Sequence, residues 1–133
     1  MKTIVNPRSL ARPIGFSHGI ATTGGKTLYL AGQTGSDSQN AIIAPGDLVA
    51  QFEHTIRNLQ AVVGQAGGTL RDIVKLNLFV LDRDDYVAKR KPLGEVYRKY
   101  FGDWYPTMAL FEIKALYQQE ALIEIEGIAV IGG

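Results

Sequence analysis

The final segment of the sequence, residues 121–131, constrains the fold more than any other feature. It reads ALIEIEGIAVI, and from Ile123 to Ile131 every second position is apolar except for Gly127. The positions between them carry Leu122, Glu124, Glu126, Ile128 and Val130. Because successive side chains of a strand point to opposite sides, this pattern predicts a β-strand with one buried face and one face of mixed character.

Turn signals divide the rest of the chain into alternating strands and helices. We expect strands over 15–22, 27–33, 73–81 and 107–116 before the final strand at 121–131. The Gly24-Gly25 pair predicts a hairpin between the first two, because glycine accepts the positive φ angles of a tight turn. Asp47 is expected to cap a helix whose apolar stripe runs from Leu48 to Val63 and which stops near 67–68. A second helix runs from about 82 to 101, and Pro92 should kink or split it.

The order ββ-α-β-α-ββ predicts an α+β fold of one domain, residues 1–133. We expect one mostly antiparallel sheet with two helices packed on one of its faces. In the strand 107–116, we assign Met108, Leu110 and Glu112 to the face that points away from the helices. In the strand 73–81, we expect Ile73, Lys75, Asn77 and Phe79 to lie on that same face.

Composition excludes several classes of protein. The chain has no cysteine and only His18 and His54, so thiolate chemistry is absent and we expect no metal and no cofactor. Its 14 basic and 13 acidic residues give a net charge of +1, which argues against a nucleic-acid partner or a polybasic membrane contact. Residues 1–13 lack the apolar run of a secretion signal, so we expect a cytoplasmic protein.

The predicted outer face of the sheet mixes large apolar and charged side chains. It would carry Phe79, Met108, Leu110, Leu122, Ile128 and Val130 together with Lys75, Glu112, Lys114, Glu124 and Glu126. An apolar patch of this size on a monomer promotes association, so we expect a homo-oligomer with pockets where the subunits meet. The alternative is an ordinary half-polar surface on which Glu124 and Glu126 are solvated.

Seven pieces of the sequence, in their order and spacing, resemble a known family. They are Gly15 to Gly19, Leu30 to Gln33, Gln51 to Leu59, Lys75 to Asp82, Tyr97 to Phe101, Tyr105-Pro106 and Ile123 to Val130. The chain resembles the YjgF/Rid family over 13–130, the reactive intermediate deaminases formerly called endoribonuclease L-PSP or translation inhibitors. The resemblance implies a chorismate-mutase-like α+β fold, a homotrimer and sites in the clefts between subunits. It also implies hydrolysis of imines and enamines to carbonyl compounds and ammonia.

Carried over position by position, the resemblance implies one catalytic residue and six substrate-binding residues. Glu124 takes the place of the water-activating glutamate, Gly32 is the glycine at the strand end, and Leu110 supplies a backbone donor. The family's arginine is replaced by Met108, its tyrosine by Phe16 and its serine by Ala31, which leaves a more apolar pocket. A helix asparagine found in some members aligns with Gly94.

Loss of the arginine removes a charge-assisted hydrogen bond worth roughly 1.5–3 kcal/mol. We therefore expect a small substrate that lacks a carboxylate, unless Lys114 or Lys75 of another subunit supplies the cation. His18, also counted as substrate-binding, could act as an acid or base where the tyrosine is lost, or it could be a hydrogen-bonded structural residue. Glu112 and Glu126 are expected to pair with Lys114 or Lys75.

Two functions are compatible with these residues. The first is a Rid-type hydrolytic deaminase that adds water to a C=N or activated C–N bond, with Glu124 as the base. The second is a non-catalytic homologue that binds a small metabolite in the same cleft. Retention of Glu124 favours the enzyme, whereas the replaced arginine and tyrosine favour the binding protein. No basic groove or catalytic histidine pair supports a ribonuclease.

Overall fold

Strands and helices alternate along the chain, and the computed structural model describes residues 1–133. The strands are β1 Lys2–Val5, β2 Gly19–Thr22, β3 Lys26–Gln33, β4 Ile73–Val80, β5 Thr107–Glu112 and β6 Ile123–Ile131. The helices are α1 Leu48–Gln65, α2 Arg83–Ala88 and α3 Arg90–Phe101, with a 3-10 turn at Leu70–Asp72. The predicted α+β class is therefore confirmed. None of the helices has the length and apolar character needed to cross a membrane.

The strands form two sheets rather than the single one predicted. The main sheet has the order β3-β6-β4-β5, and a separate sheet pairs β1 with β2. Contacts of β6 with β3 and β4 are antiparallel, whereas β5 runs parallel to β4, so the main sheet is mixed. Parallel pairing of β4 and β5 is possible because α2 and α3 form the long crossover that parallel neighbours require.

The predicted hairpin at Gly24-Gly25 is wrong in its pairing, although the turn itself forms. Both glycines have positive φ, 69° and 82°. However, β2 pairs with β1, and β3 pairs with β6 from the other end of the chain. A turn signal reverses the chain direction but leaves the hydrogen-bond partners to the rest of the fold. Strand β1 was not predicted, because its four residues are too short for a clear pattern.

The helices begin and break where the sequence predicts. The Asp47 side chain accepts a hydrogen bond from the Ala50 N–H at 3.0 Å and caps α1. The predicted second helix is split in two, with Lys89 lying between α2 and α3. Pro92 falls in the first turn of α3, where its missing N–H leaves no helical hydrogen bond unmade.

The core lies between the helices and one face of the main sheet. From α1, Phe52, Ile56 and Leu59 pack against Ile123 and Ile125 of β6. Burial of these side chains supplies most of the driving force for the layered packing. The predicted buried face of the final strand is therefore confirmed.

The predicted faces of two strands need correction. Met108 and Leu110 of β5 stand opposite Leu76 and Leu78 of β4, which are core residues, so they point towards the helices and not away from them. The pattern was ambiguous because both faces of β5 carry apolar side chains. In β4, the pairing with β6 shifts between Ile73 and Lys75, and this irregularity turns Ile73 into the core.

Candidate functional site

The Glu124 carboxylate lies directly over Gly32. The two residues belong to neighbouring strands, and the register of β3 against β6 shifts between Leu30 and Gln33, the segment that holds Ala31 and Gly32. A Cβ atom at position 32 would lie only 2.8 Å from the Glu124 Cδ. Ordinary carbon contacts are about 3.5–4.0 Å, so only glycine leaves room for the carboxylate in this position.

The surroundings of Glu124 are aromatic on one side. On the outer face of the sheet, Glu124 stands opposite Phe79, and Phe79 stacks on Phe111 with ring centroids 5.5 Å apart. Glu124 takes part in none of the ion pairs of the chain, whose carboxylates are those of Asp72, Asp103, Asp84, Asp85 and Glu53. Glu124 is therefore a half-buried carboxylate without an internal cation.

The other two glutamates of this region have partners different from those predicted. Glu126 accepts a hydrogen bond from the Asn77 side chain at 3.2 Å, and Glu112 accepts one from the Arg83 backbone N–H at 2.9 Å. Neither pairs with Lys75 or Lys114. Glu112 stands opposite Val80, a core residue, so it lies on the helix side of the sheet and not beside Glu124.

Met108 lines a cavity on the helix side of the sheet. The cavity has a volume of about 430 Å³ and lies between α3, α1 and the strands β4, β5 and β6. Its walls include Leu93, Tyr97, Tyr105 and Ile125, with Arg90, Gly94 and Arg98 also contributing. Leu110 packs against the core nearby. Within one chain the sheet therefore separates Met108 and Leu110 from Glu124 and Gly32.

Three tyrosines line the cavity, and two of them, Tyr86 and Tyr97, have raised pKa values. Burial raises the pKa of the Tyr86 hydroxyl, and it raises that of Tyr97 further. Tyr97 donates its hydroxyl hydrogen to the Trp104 carbonyl at 2.5 Å, whereas its ring stacks on Phe101 and Tyr105. Both phenols therefore stay neutral over the physiological pH range. Sequence analysis missed these wall residues, because their helical spacing also fits plain core packing.

Phe16 and His18 lie beside the edge of β5, and neither lines the cavity, although the preceding Ile14 and Gly15 do. Ser17 between them forms a single parallel bridge with Thr107, and its hydroxyl donates to the Tyr105 carbonyl at 2.5 Å. The rings of Phe16 and His18 meet edge to face at 5.2 Å.

One nitrogen of the His18 ring is already engaged. Its Nε2 is hydrogen bonded to the Ala11 carbonyl at 2.7 Å, and its backbone N–H donates to the Asn6 side chain at 2.8 Å. This geometry corresponds to the structural alternative, in which His18 fastens the segment that precedes β2. Nowhere in the chain do three or more histidine or carboxylate side chains come together in a way that could hold a metal ion.

Comparison with known proteins gives a consistent family match. The family model described as Endoribonuclease L-PSP matches residues 7–131. A RutC family protein of Pyrococcus horikoshii is 32% identical over 97% of this chain and 98% of its own length. The 2-iminobutanoate/2-iminopropanoate deaminase of Mus musculus is 30% identical over 80% of this chain and 76% of its own length. Among solved structures, YyfB of Yersinia pestis, a Rid family protein of unknown function, has a TM-score of 0.88 and 29% identity, covering 98% of both chains.

Proposed function

Because the chain belongs to the endoribonuclease L-PSP family, which is the YjgF/Rid family of the resemblance, we propose that it is an imine or enamine hydrolase. At the level of the family, relatives named as imine deaminases support a Rid-type deaminase. The observation that carries the proposal for this chain is the Glu124 carboxylate, which lies over Gly32 without an internal cation. We further propose that the protein is a cytoplasmic homotrimer and that it acts on a small molecule.

The proposed active site is a cleft between two copies of the chain. Glu124 and Gly32 lie on one side of the sheet, whereas Met108 and Leu110 lie on the other, so one chain cannot bring them together. A neighbouring copy would bring the two pairs of residues together if its helix side packed against the outer face of the first copy. Tyr29 and Phe111 on that outer face are 76% and 46% exposed, which supports burial against another copy.

The proposed reaction needs only water and a base. Glu124 removes a proton from a water molecule as its oxygen attacks the carbon of the C=N bond. Protonated Glu124 passes this proton to the nitrogen, which gives a carbinolamine. Glu124 then transfers the hydroxyl proton of the carbinolamine to the amine, so that the C–N bond breaks, ammonia leaves and the carbonyl forms. Backbone N–H groups of Gly32 and Leu110 are proposed to orient the substrate, and Phe16, Ala31 and Met108 to form apolar walls. Met108 offers no cation, so the reacting group itself is neutral or weakly polar.

The second candidate is a non-catalytic protein that binds a small metabolite in the same cleft. It is favoured by Met108 and Phe16, which lack the guanidinium and the hydroxyl that the family's hydrolases use. A hydrogen-bonded His18 ring also fits this candidate, since it leaves Glu124 as the one free titratable group proposed for the cleft.

The test is hydrolysis of imines generated in situ by amino-acid and amine oxidases, with the free imine trapped. The panel contains imines with and without a carboxylate, and the variant is Glu124→Gln. Glu126→Gln is the matched control, because it lies on the same strand and face but is hydrogen bonded to Asn77. We expect Glu124→Gln to lose at least about 100-fold in kcat and Glu126→Gln to keep activity.

Full activity of Glu124→Gln would contradict the assignment of the base. Absence of acceleration over the whole panel would favour the metabolite-binding protein. Thermal unfolding and the oligomeric state of both variants must match those of the parent chain for the comparison to count.

A further inference from the structure

Arg90, Gly94 and Arg98 form a stripe along α3 at the cavity mouth. They are spaced four residues apart, so all three lie on one side of the helix. Each of them lines the cavity that also holds Met108. Position 94, which has no side chain, therefore lies between the two arginines along the helix.

Both arginines are free of internal partners. Neither arginine takes part in an ion pair of the chain, whose basic side chains are those of Lys2, Arg71, Arg83, Lys89 and Lys99. Arg90 and Arg98 are exposed to solvent. A guanidinium carries its charge at every physiological pH and matches the geometry of a carboxylate.

The Arg98 guanidinium lies over Gly94. A Cβ atom at this position would lie 3.1 Å from the Arg98 Nη1, which is closer than ordinary contact. Glycine inside a helix costs about 0.5–1 kcal/mol relative to alanine, and Gly94 does not have the positive φ that would require it. The missing side chain at position 94 therefore lets the Arg98 guanidinium fold back along the helix towards Arg90.

We infer that the cavity takes an amphipathic organic carboxylate, with its apolar body against Leu93, Tyr97 and Met108 and its carboxylate between Arg90 and Arg98. The inference rests on the proposed function in that this cavity belongs to the substrate cleft. It adds the substrate class, an amphipathic carboxylate. The carboxylate of the substrate is bound by α3, whereas its reacting C=N bond lies away from α3, near β5. Substrates with the carboxylate next to the C=N bond remain disfavoured, since Met108 cannot bind it.

The experiment compares two ligands that differ only in charge. Isothermal titration calorimetry measures binding of 4-phenylbutyrate and of its neutral amide, 4-phenylbutanamide, neither of which is hydrolysed in the reaction. We expect the carboxylate to bind about ten- to hundredfold more tightly, as a charge-assisted hydrogen bond predicts, and to weaken with added salt. Arg98→Met and Arg90→Met should reduce that preference.

The matched control is Arg57→Met, which removes the same charge from an exposed position on α1. It should leave the preference unchanged. Gly94→Ala should weaken carboxylate binding while raising the melting temperature, which separates a crowded site from a damaged fold.

Equal binding of both ligands, no binding of either, or a preference unaffected by Arg98→Met and Arg90→Met would each overturn the inference. Because no turnover is involved, the result is independent of Glu124. If the protein hydrolyses imines in a Glu124-dependent way but binds the carboxylate no more tightly than the amide, the proposed function stands and the inferred substrate class is wrong. If the protein prefers the carboxylate but hydrolyses no imine, the inferred ligand class stands and the proposed function is wrong.

Discussion

Replacement of Gly32 by alanine tests the position of the proposed base directly. The new Cβ atom would lie 2.8 Å from the Glu124 Cδ, whereas carbon atoms in contact are about 3.5–4.0 Å apart. The carboxyl group must therefore move by about 0.7–1.2 Å. Gly32 does not have a positive φ, so the backbone accepts alanine and the side chain of Glu124 is what yields.

The expected loss in turnover follows from that displacement. A catalytic group misplaced by about 1 Å costs about 100-fold in rate, which corresponds to about 2.7 kcal/mol in the activation free energy. The free energy of unfolding should change by less than about 1 kcal/mol, because position 32 is exposed and the displaced group is the end of a flexible side chain.

The assay measures kcat on the imine of the panel that the parent chain hydrolyses fastest, together with urea unfolding of each variant. Gly64→Ala is the control, since a Cβ there meets open space. A Gly32→Ala variant that keeps kcat within about threefold of the parent would refute the placement of Glu124 as the base. A variant that loses activity only because it unfolds would show a matching loss in the urea midpoint.

Two further predictions concern stability and are checked by urea unfolding. Gln51→Leu should lower the free energy of unfolding by about 2–4 kcal/mol, because the buried Gln51 amide donates to the carbonyls of Ala44 and Glu120 and accepts from the Leu122 N–H. A loss under about 1 kcal/mol would mean that water replaces those bonds. Gly64→Ala should raise the free energy of unfolding by about 0.5–1 kcal/mol, since Gly64 lies exposed within α1. Any decrease would contradict the open space at that position.

Features set by neighbouring residues could be predicted from the sequence. Asp47 caps α1 as expected, because capping depends on a side chain and an N–H three residues further on. The break between α2 and α3 follows from Pro92, and the buried face of β6 follows from its alternation. These predictions hold because each rests on periodicity or on one local contact.

Features that depend on distant partners could not be predicted in this way. Strand β5 carries apolar residues on both faces, so its pattern did not reveal that Met108 and Leu110 point towards the helices. The separate β1-β2 sheet depends on pairing between segments more than ten residues apart, for which a Gly-Gly turn gives no signal. The irregularity that turns Ile73 into the core likewise depends on its pairing with β6.

The candidate site divides along the same line. Glu124 and Gly32 were expected together from the resemblance, and the contact between them is a property of the β3-β6 register. The sequence pattern indicates a solvated charge at Arg90, or at most part of a short basic run with Lys89 and Lys91, and it does not distinguish Arg98 from other exposed arginines. The relation of Arg90 and Arg98 to Gly94 becomes visible only when the helix is seen against the cavity.

The parallel placement of β5 links these observations. In a single chain it puts Met108 under α3 and leaves Glu124 on the far side of β6, next to the Phe79–Phe111 stack. A pocket that uses both residues must then be completed by a second copy, and the same packing would cover the exposed aromatic face. The proposed oligomer and the proposed intersubunit cleft thus both follow from this strand order, and a monomeric, fully active protein would contradict both.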